Sequence, residues 1–585
     1  MEKDYADSKA SPAVASTTDS PPVYGEAESA KASIPRRIFD SFRRDPNAHI
    51  TSGAAGKSFD VEHAAENTAS SPLQRSLKSR HLQMIAIGGS IGTGLFIGSG
   101  MVLHTGGPAS LIIAYCLIGI MLYCTVHCLG EMAVLFPVAG SFAHYSTRFL
   151  DPSWGFAMGW NYALQWLIVL PLEIVAASIT MDYWDTQVSN AVYVAIFYVL
   201  IVSINLFGVR GYGEAEFVFS SIKVIAVIGF IILGIILNCG GGPKGEYIGG
   251  KYWHDPGAFH NGFKGLCSVF VNAAFAFAGT ELVGLASAET DNPRKSLPTA
   301  VKQVFWRIAL FYVVSLTLIG VLVPYDSPKL LGDSGGSNSD ASPFVIAIKN
   351  AGINGLDSVM NAVILIAVLS VGNAAVYGSS RTLAALGEQG MGPGFLSYID
   401  RKGRPMWGIG ISSVLGLLAF LAASDKQEQA FTWMMAISGL SSIFTWGSIC
   451  LCHIRFRRGW KVQGHSLDEL AFRAQPGWLG GWIGFLFNCL VLVVQFWVGF
   501  APIAFGRMTA AERTKNWFKA YLAAPVVIAC YLYHKIRYRT PLFVRAKDMD
   551  LSTGRRDLDV QHLIAQERAE QKAWPIWKKI YKIFC

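Results

Sequence analysis

From residue 84 onward, apolar residues come in runs of about twenty, separated by short polar stretches. A run of that length crosses the roughly 30 Å of a bilayer's hydrocarbon as a helix. Windows at 84–103, 108–136, 155–179, 190–208, 215–238, 265–288, 305–324, 356–380, 407–423, 430–453, 481–503 and 518–535 predict about twelve membrane-spanning helices. The ninth window is short, and Gly439 with neighbouring polar residues interrupts the tenth. Residues 1–80 follow a different pattern, with Ser, Ala, Pro and charge throughout and no apolar stretch near Met1 that would serve as a signal peptide. The expected organisation is a disordered cytoplasmic tail over 1–80, a transmembrane domain over 81–536 and a second cytoplasmic tail over 537–585.

Composition agrees with this pattern. Of 585 residues, 52% are hydrophobic and only 15% charged. A soluble domain carries about a quarter charged residues. Lys and Arg set the orientation. Arg148, Arg210, Arg294, Lys295, Lys302, Arg401, Lys402, Arg404, Arg455, Arg457, Arg458, Lys461 and Arg473 fall in alternate connections, and the opposite ones carry fewer, such as Lys244, Lys251, Lys329 and Lys426. Both termini are therefore expected on the cytoplasmic side. The net charge of +9 is explained by loops facing anionic lipid, so no nucleic-acid partner is called for. Most cysteines lie in or beside spans, and no spacing pattern pairs Cys239 with Cys267. His104, His127 and His144 are scattered, so no metal site is expected.

The first window contains Ile85 to Gly100, IAIGGSIGTGLFIGSG, with six glycines. Glycine disfavours a helix by roughly 1 kcal/mol relative to alanine, and in lipid every backbone group needs a partner. A span broken here survives where its freed N–H and C=O groups line a cavity. Two other readings compete. A glycine face for close helix packing is one. A dinucleotide fingerprint is the other, but Gly92-x-Gly94-x-x-x-Gly98 has the wrong spacing and follows no strand. The sixth window carries a second interruption, FAFAGTELVGLAS from Phe275, with Glu281 inside the apolar run. Interruptions in corresponding positions of two halves point to an inverted-repeat transporter with its site between them. Spans one to five and six to ten would form the repeats, leaving two peripheral spans.

Several stretches then resemble one family: IGGSIGTGLFIGSG, GEMAVLFPVAGSF from Gly130, PLEIVAASI from Pro171, FAFAGTELVGLASAETDNPRKSLPTAVKQVFWRI from Phe275 and VYGSSRTLAALGEQGMGP from Val376. They are similar to the fungal amino acid permeases of the amino acid, polyamine and organocation superfamily. RAKDMDLSTGRRDLDV from Arg545 is similar to the tail of its broad-range members, whereas the final residues, Phe584-Cys585, depart from the Phe-Trp-Cys ending of that group. The resemblance runs from about residue 75 to the C-terminus. It implies an all-α membrane protein with a LeuT-like 5+5 inverted repeat, spans 1 and 6 broken, importing amino acids with protons at the plasma membrane. No cofactor is implied beyond the proton as coupling ion.

By the same resemblance, Ser90, Gly92, Thr93 and Gly94 would bind the substrate carboxylate. Carbonyls around Phe275, Ala276 and Ala278 would take the α-ammonium, with Phe275 and Phe277 as an aromatic gate or as ordinary core aromatics. Glu173 and Glu281 are carboxylates inside spans, where ionisable groups are functional by default. Glu131 lies nearer the cytoplasmic end and is expected to pair with a loop cation. Lys223, in SSIKVIAVIGFII of the fifth span, would bond carbonyls of the unwound segment near Gly88 to Ile91, and its proton is a candidate coupling ion. Glu281 is the alternative proton carrier. In a plainer reading Lys223 snorkels to the loop and pairs with Glu214 or Glu216.

The alternative function is a transporter-like sensor that binds amino acids without moving them. No nucleophile and base pair, metal spacing or phosphate loop supports an enzyme. The tails suggest regulation. Ser20-Pro21-Pro22-Val23-Tyr24 contains a PPxY motif of the kind that docks as polyproline II into WW-domain grooves, with Lys3, Lys9 and Lys31 nearby as ubiquitin acceptors. A WW-containing ubiquitin ligase is the partner this implies. Aromatic residues interleave with lysines from Trp574 to Phe584, a pattern suited to an anionic leaflet, and would present Cys585 for S-palmitoylation.

Overall fold

The computed structural model describes residues 34–44, 59–89, 91–184, 187–330, 342–423, 427–555, 566, 570 and 574–576. Two units are distinguished, Met1–Arg43 and Arg44–Cys585. The first contributes the short helix Ile34–Ser41, and the second holds everything below.

Among the described residues the chain is helical, and only two isolated bridges, Arg44 with Asp400 and Leu77 with Thr290, interrupt that rule. The helices that matter for the site are α1 (Ser79–Gly88), α2 (Thr93–Phe96), α3 (Gly98–Leu135), α4 (Pro152–Met181), α5 (Asn190–Leu206), α6 (Gly208–Asn238) and α7 (Phe270–Phe277). After them come α8 (Leu282–Leu285), α9 (Pro293–Trp306), α10 (Leu356–Glu388), α11 (Met406–Gly416), α12 (Gln427–Val462), α13 (Gly477–Phe500) and α14 (Ala523–Tyr538).

Among the described residues, eight helical segments are long and apolar enough to cross a bilayer. They account for eight of the twelve expected windows. The first window falls instead on α1, a break, α2 and the opening turns of α3, and the fourth, ninth and twelfth fall on the shorter α5, α11 and α14. Gly107, at φ +81°, interrupts helical geometry within α3 just ahead of Pro108, so the chain turns where the first two windows meet.

Burial sorts these helices into an inner and an outer set. In α4, 83% of the apolar window is enclosed by protein, against 28% in the segment starting at α13 and 33% in α6. Inner helices approach closely because small residues face their neighbours. A Cβ on Gly378 of α10 would lie 3.1 Å from the Trp166 ring of α4, and one on Gly88 of α1 would lie 2.0 Å from Ser220 Oγ of α6. On the outer set, Leu486, Leu490 and Val493 of α13 and Ile225 and Ile232 of α6 remain exposed in the protein alone. Lipid is the solvent that suits them.

Two carboxylates inside the fold are matched by arginines. Glu131 receives Arg457 Nη2 at 2.6 Å and the Ala474 N–H at 2.7 Å, so the carboxylate is paired as expected, but with a cation of helix α12 and not of a loop. Glu289 faces Arg381 at 3.3 Å and accepts the Tyr377 hydroxyl at 2.7 Å. An unpaired charge at such positions would destabilise the fold by several kcal/mol.

Candidate functional site

Both glycine-rich stretches are breaks. The first helix makes its last regular bond at Gly89, whose N–H reaches Ile85 O at 3.0 Å, and helical geometry resumes at Thr93. No side chain caps the start of α2, where Thr93 and Gly94 present N–H groups without intrahelical acceptors. The second break runs from Ala278, with extended backbone at ψ 143°, through Gly279 at φ +95° to Glu281. That φ lies in the left-handed region that glycine enters without strain.

The helices flanking the two breaks touch each other through their backbones. A Cβ on Gly94 would stand 2.3 Å from Ala276 Cα. Packing and binding, the two readings of the glycines, thus coexist, since close approach is what brings both unwound segments to one cavity. Gly92, Thr93 and Gly94 line it from one side, Phe275 and Ala278 from the other, and Trp166, Val169, Glu173 and Val371 close it. Its volume is ≈ 20 Å³, about the room of one water molecule.

Polar groups converge on this point. Thr93 donates its hydroxyl to Glu173 Oε2, and the other Glu173 oxygen, Oε1, is buried without a hydrogen-bond partner. Freed carbonyls are taken by side chains from neighbouring helices. Tyr115 donates to Gly94 O at 3.3 Å, Tyr312 to Ala276 O at 2.7 Å and Arg307 Nη1 to Ala86 O at 2.6 Å. Lys223 is fully buried and donates to Gly88 O at 2.6 Å and to Ser370 Oγ at 2.8 Å, with Glu216 Oε1 at 3.4 Å. Glu216 itself accepts Ser220 at 2.8 Å and Ser370 at 2.7 Å. Lys223 therefore ties the first break to α6 and α10, and it does not snorkel. Glu216 meets it inside the fold, and Glu214 pairs with His81 at 3.2 Å and with Arg80.

The remaining expected site residues divide. Glu281 is buried but lies off the cavity, accepting Gly279 N–H at 3.2 Å, the Tyr162 hydroxyl at 3.2 Å and the Trp446 indole N–H at 3.1 Å. Phe275 lines the cavity. Phe277 turns away and packs on Tyr312, with ring centroids 4.1 Å apart, and on Tyr115 at 5.7 Å. The Phe275 carbonyl already accepts the Ala278 N–H at 3.1 Å. Ser90, Pro21, Pro22, Tyr24, Lys3, Lys9, Lys31 and Cys585 lie outside the described residues. No group of three metal-ligating side chains occurs among the described residues.

Sequence reasoning passed over Arg307, Tyr115, Tyr312 and Trp166. Arg307 carried a readable signal, a guanidinium inside an apolar window. The tyrosines carried none, because their role depends on which carbonyl a distant break leaves free.

Over residues 81–544 the chain matches the model of the family described as Amino acid permease. It is 59% identical to the general amino-acid permease GAP2 of Candida albicans over 555 residues, 94% of this chain and 93% of that one. It is 55% identical to the general amino-acid permease GAP1 of Saccharomyces cerevisiae over 557 residues, covering 93% and 91%. Against the tryptophan permease of the same yeast it is 52% identical over 509 residues, covering 86% and 85%.

Proposed function

The chain belongs to the amino acid permease family, and we propose that it imports amino acids across the plasma membrane by proton symport with alternating access. The observation that carries the proposal is the contact of two glycine-broken helices at Gly94 and Ala276, around a cavity lined with polar groups. In this reading Ser90, Gly92, Thr93 and Gly94 hold the substrate carboxylate, the N–H groups of Thr93 and Gly94 being helped by the positive end of a helix dipole. Carbonyls of the second break hold the ammonium. Bare backbone recognises what all amino acids share, which suits broad specificity. The cavity is smaller than any amino acid, so Phe275 and Trp166 must swing aside to admit one, and that movement belongs to the transport cycle.

Lys223 is the proposed coupling group. Its charged form bonds Gly88 O and holds the first break, and release of its proton weakens that bond. Glu173 and Glu281 are the other candidate proton carriers. In this account 81–536 forms the transporter in a LeuT-like 5+5 arrangement, and the tails 1–80 and 537–585 face the cytoplasm. Ubiquitin ligase docking at Pro21, Pro22 and Tyr24, with Lys3, Lys9 and Lys31 as acceptors, and palmitoylation of Cys585 would regulate its residence at the membrane. Unchanged nutrient-triggered internalisation in Tyr24→Ala, or a terminal peptide carrying only free cysteine by mass spectrometry, would retire each of these.

The experiment that tests the function is uptake of radiolabelled amino acids in a permease-deficient cell, with each unlabelled amino acid in turn as competitor. Accumulation inhibited by many side-chain classes is expected. Inhibition by one class alone would remove broad specificity, and binding without accumulation would leave the sensor.

A further inference from the structure

A second, larger cavity lies away from the substrate site. Its volume is ≈ 540 Å³, inside the range of about 300–1,000 Å³ typical of small-molecule sites. It opens between the start of α4, the later half of α12, the middle of α13 and the middle of α14. Trp154, Phe444, Leu451, Phe485, Leu492 and Tyr531 make its wall. Leu542 and Phe543, both exposed, stand at its mouth.

One cation completes the lining. Arg455 of α12 donates to Val544 O and, at 3.5 Å, to Phe149 O, but no carboxylate reaches it among the described residues. Asp151, the acid in the same lining, is already engaged by Lys535 at 2.8 Å and by the Thr540 hydroxyl at 3.1 Å. Arg455 sits twelve residues along α12 from Ile443, the first lining residue of that helix, so the wall extends about 18 Å along the helix axis. The arrangement is a long apolar slot with an uncompensated positive charge at one end, set between helices that cross the membrane.

We propose that this cavity holds one phospholipid, an acyl chain in the slot and the phosphate on Arg455. A sterol offers only a hydroxyl at its polar end and leaves the guanidinium unmatched, whereas a phosphate pairs with it through charge-assisted bonds. Within a bilayer the apolar wall gives little preference for one chain over bulk lipid, because the lipid tails are themselves apolar. The phosphate contact therefore carries the selectivity, and Arg455 is the residue to change.

The test reconstitutes the purified full-length protein in phosphatidylcholine vesicles containing a trace of phosphatidylcholine with a diazirine on one acyl chain, followed by irradiation and peptide mapping. Label is expected to concentrate on residues 443–451 and 485–492, and to fall about tenfold in Arg455→Gln, the loss that one charge-assisted bond implies. Leu451→Trp, which fills the slot from its wall and keeps the arginine, should lower the same label. Label spread evenly over lipid-facing residues such as Ile225 and Ile232, or unchanged in both variants, would overturn the proposal. So would loss of label on adding sterol, which would make sterol the occupant. Label that rises when residues 556–585 are deleted would assign the slot to the chain's own C-terminal segment and equally defeat it.

Discussion

At the scale of single residues, the glycines of the first break do two things that can be separated. Gly94 has no room for a side chain, because the Ala276 backbone stands where its Cβ would go. Gly229, in the outer face of α6, has nothing within 4 Å of the same position. Gly94→Ala is expected to push the two breaks apart, with about 1–3 kcal/mol of overpacking, and to lower labelled amino acid uptake by about tenfold or more at equal surface expression. Gly229→Ala is expected to transport normally. Equal uptake by both variants would mean that the contact between the breaks does not shape the site. The interruption itself was legible, because glycine inside an apolar run has a physical cost that needs a return. Which carbonyl each tyrosine takes was not legible, since Tyr115 and Tyr312 reach Gly94 and Ala276 from other helices, and the pairing depends on how those helices pack.

At the scale of elements, the segment after α14 is held by a latch that sequence patterning did not foresee. Arg148 binds Asp550 Oδ2 at 2.8 Å and donates to Thr553 O at 2.9 Å, while Gln463 donates to Met549 O at 2.7 Å. Burial alone would raise the Asp550 carboxyl, but Arg148 and the N–H groups of Ser552 and Thr553 outweigh it and hold it well below the usual carboxylate range. A carboxyl held low when folded contributes its stabilisation in full above the ordinary aspartate value of about 3.9, and loses it as pH falls below that towards the depressed value. Hydrogen exchange over residues 544–555 is therefore expected to show undiminished protection from neutral pH down to about 4 once intrinsic rates are corrected for. Asp550→Asn should abolish much of that protection already at pH 7. Protection that fades between pH 7 and 5 in the unmodified protein would contradict this account. Arg148 was visible in the sequence only as a loop cation, because its partner lies about four hundred residues away.

At the scale of the whole molecule, twelve apolar windows anticipated helix positions well and helix continuity poorly. Hydropathy counts residues in a run, so it reports α4, α10 and α13 directly and marks the window of α11 as short, but it does not show that α5 and α14 are shorter than an ordinary span. Orientation is the global feature still to be measured. Cys239 is exposed between α6 and α7, and Cys450 and Cys452 are buried in α12. With both termini in the cytoplasm, a membrane-impermeant maleimide applied to intact cells should label Cys239 and leave that pair untouched. Labelling of Cys239 only after permeabilisation would reverse the topology.

The central claim is that an amino acid and a proton cross together through the joined breaks, with Lys223 as the link between them. It is tested most directly by recording proton entry and labelled amino acid uptake in the same proteoliposomes, under an imposed pH gradient, for the unmodified protein and Lys223→Met. Coupled fluxes are expected in the unmodified protein and, in the variant, exchange of internal for external amino acid with neither concentrative uptake nor proton entry. Concentrative, gradient-dependent uptake that persists in Lys223→Met would contradict it.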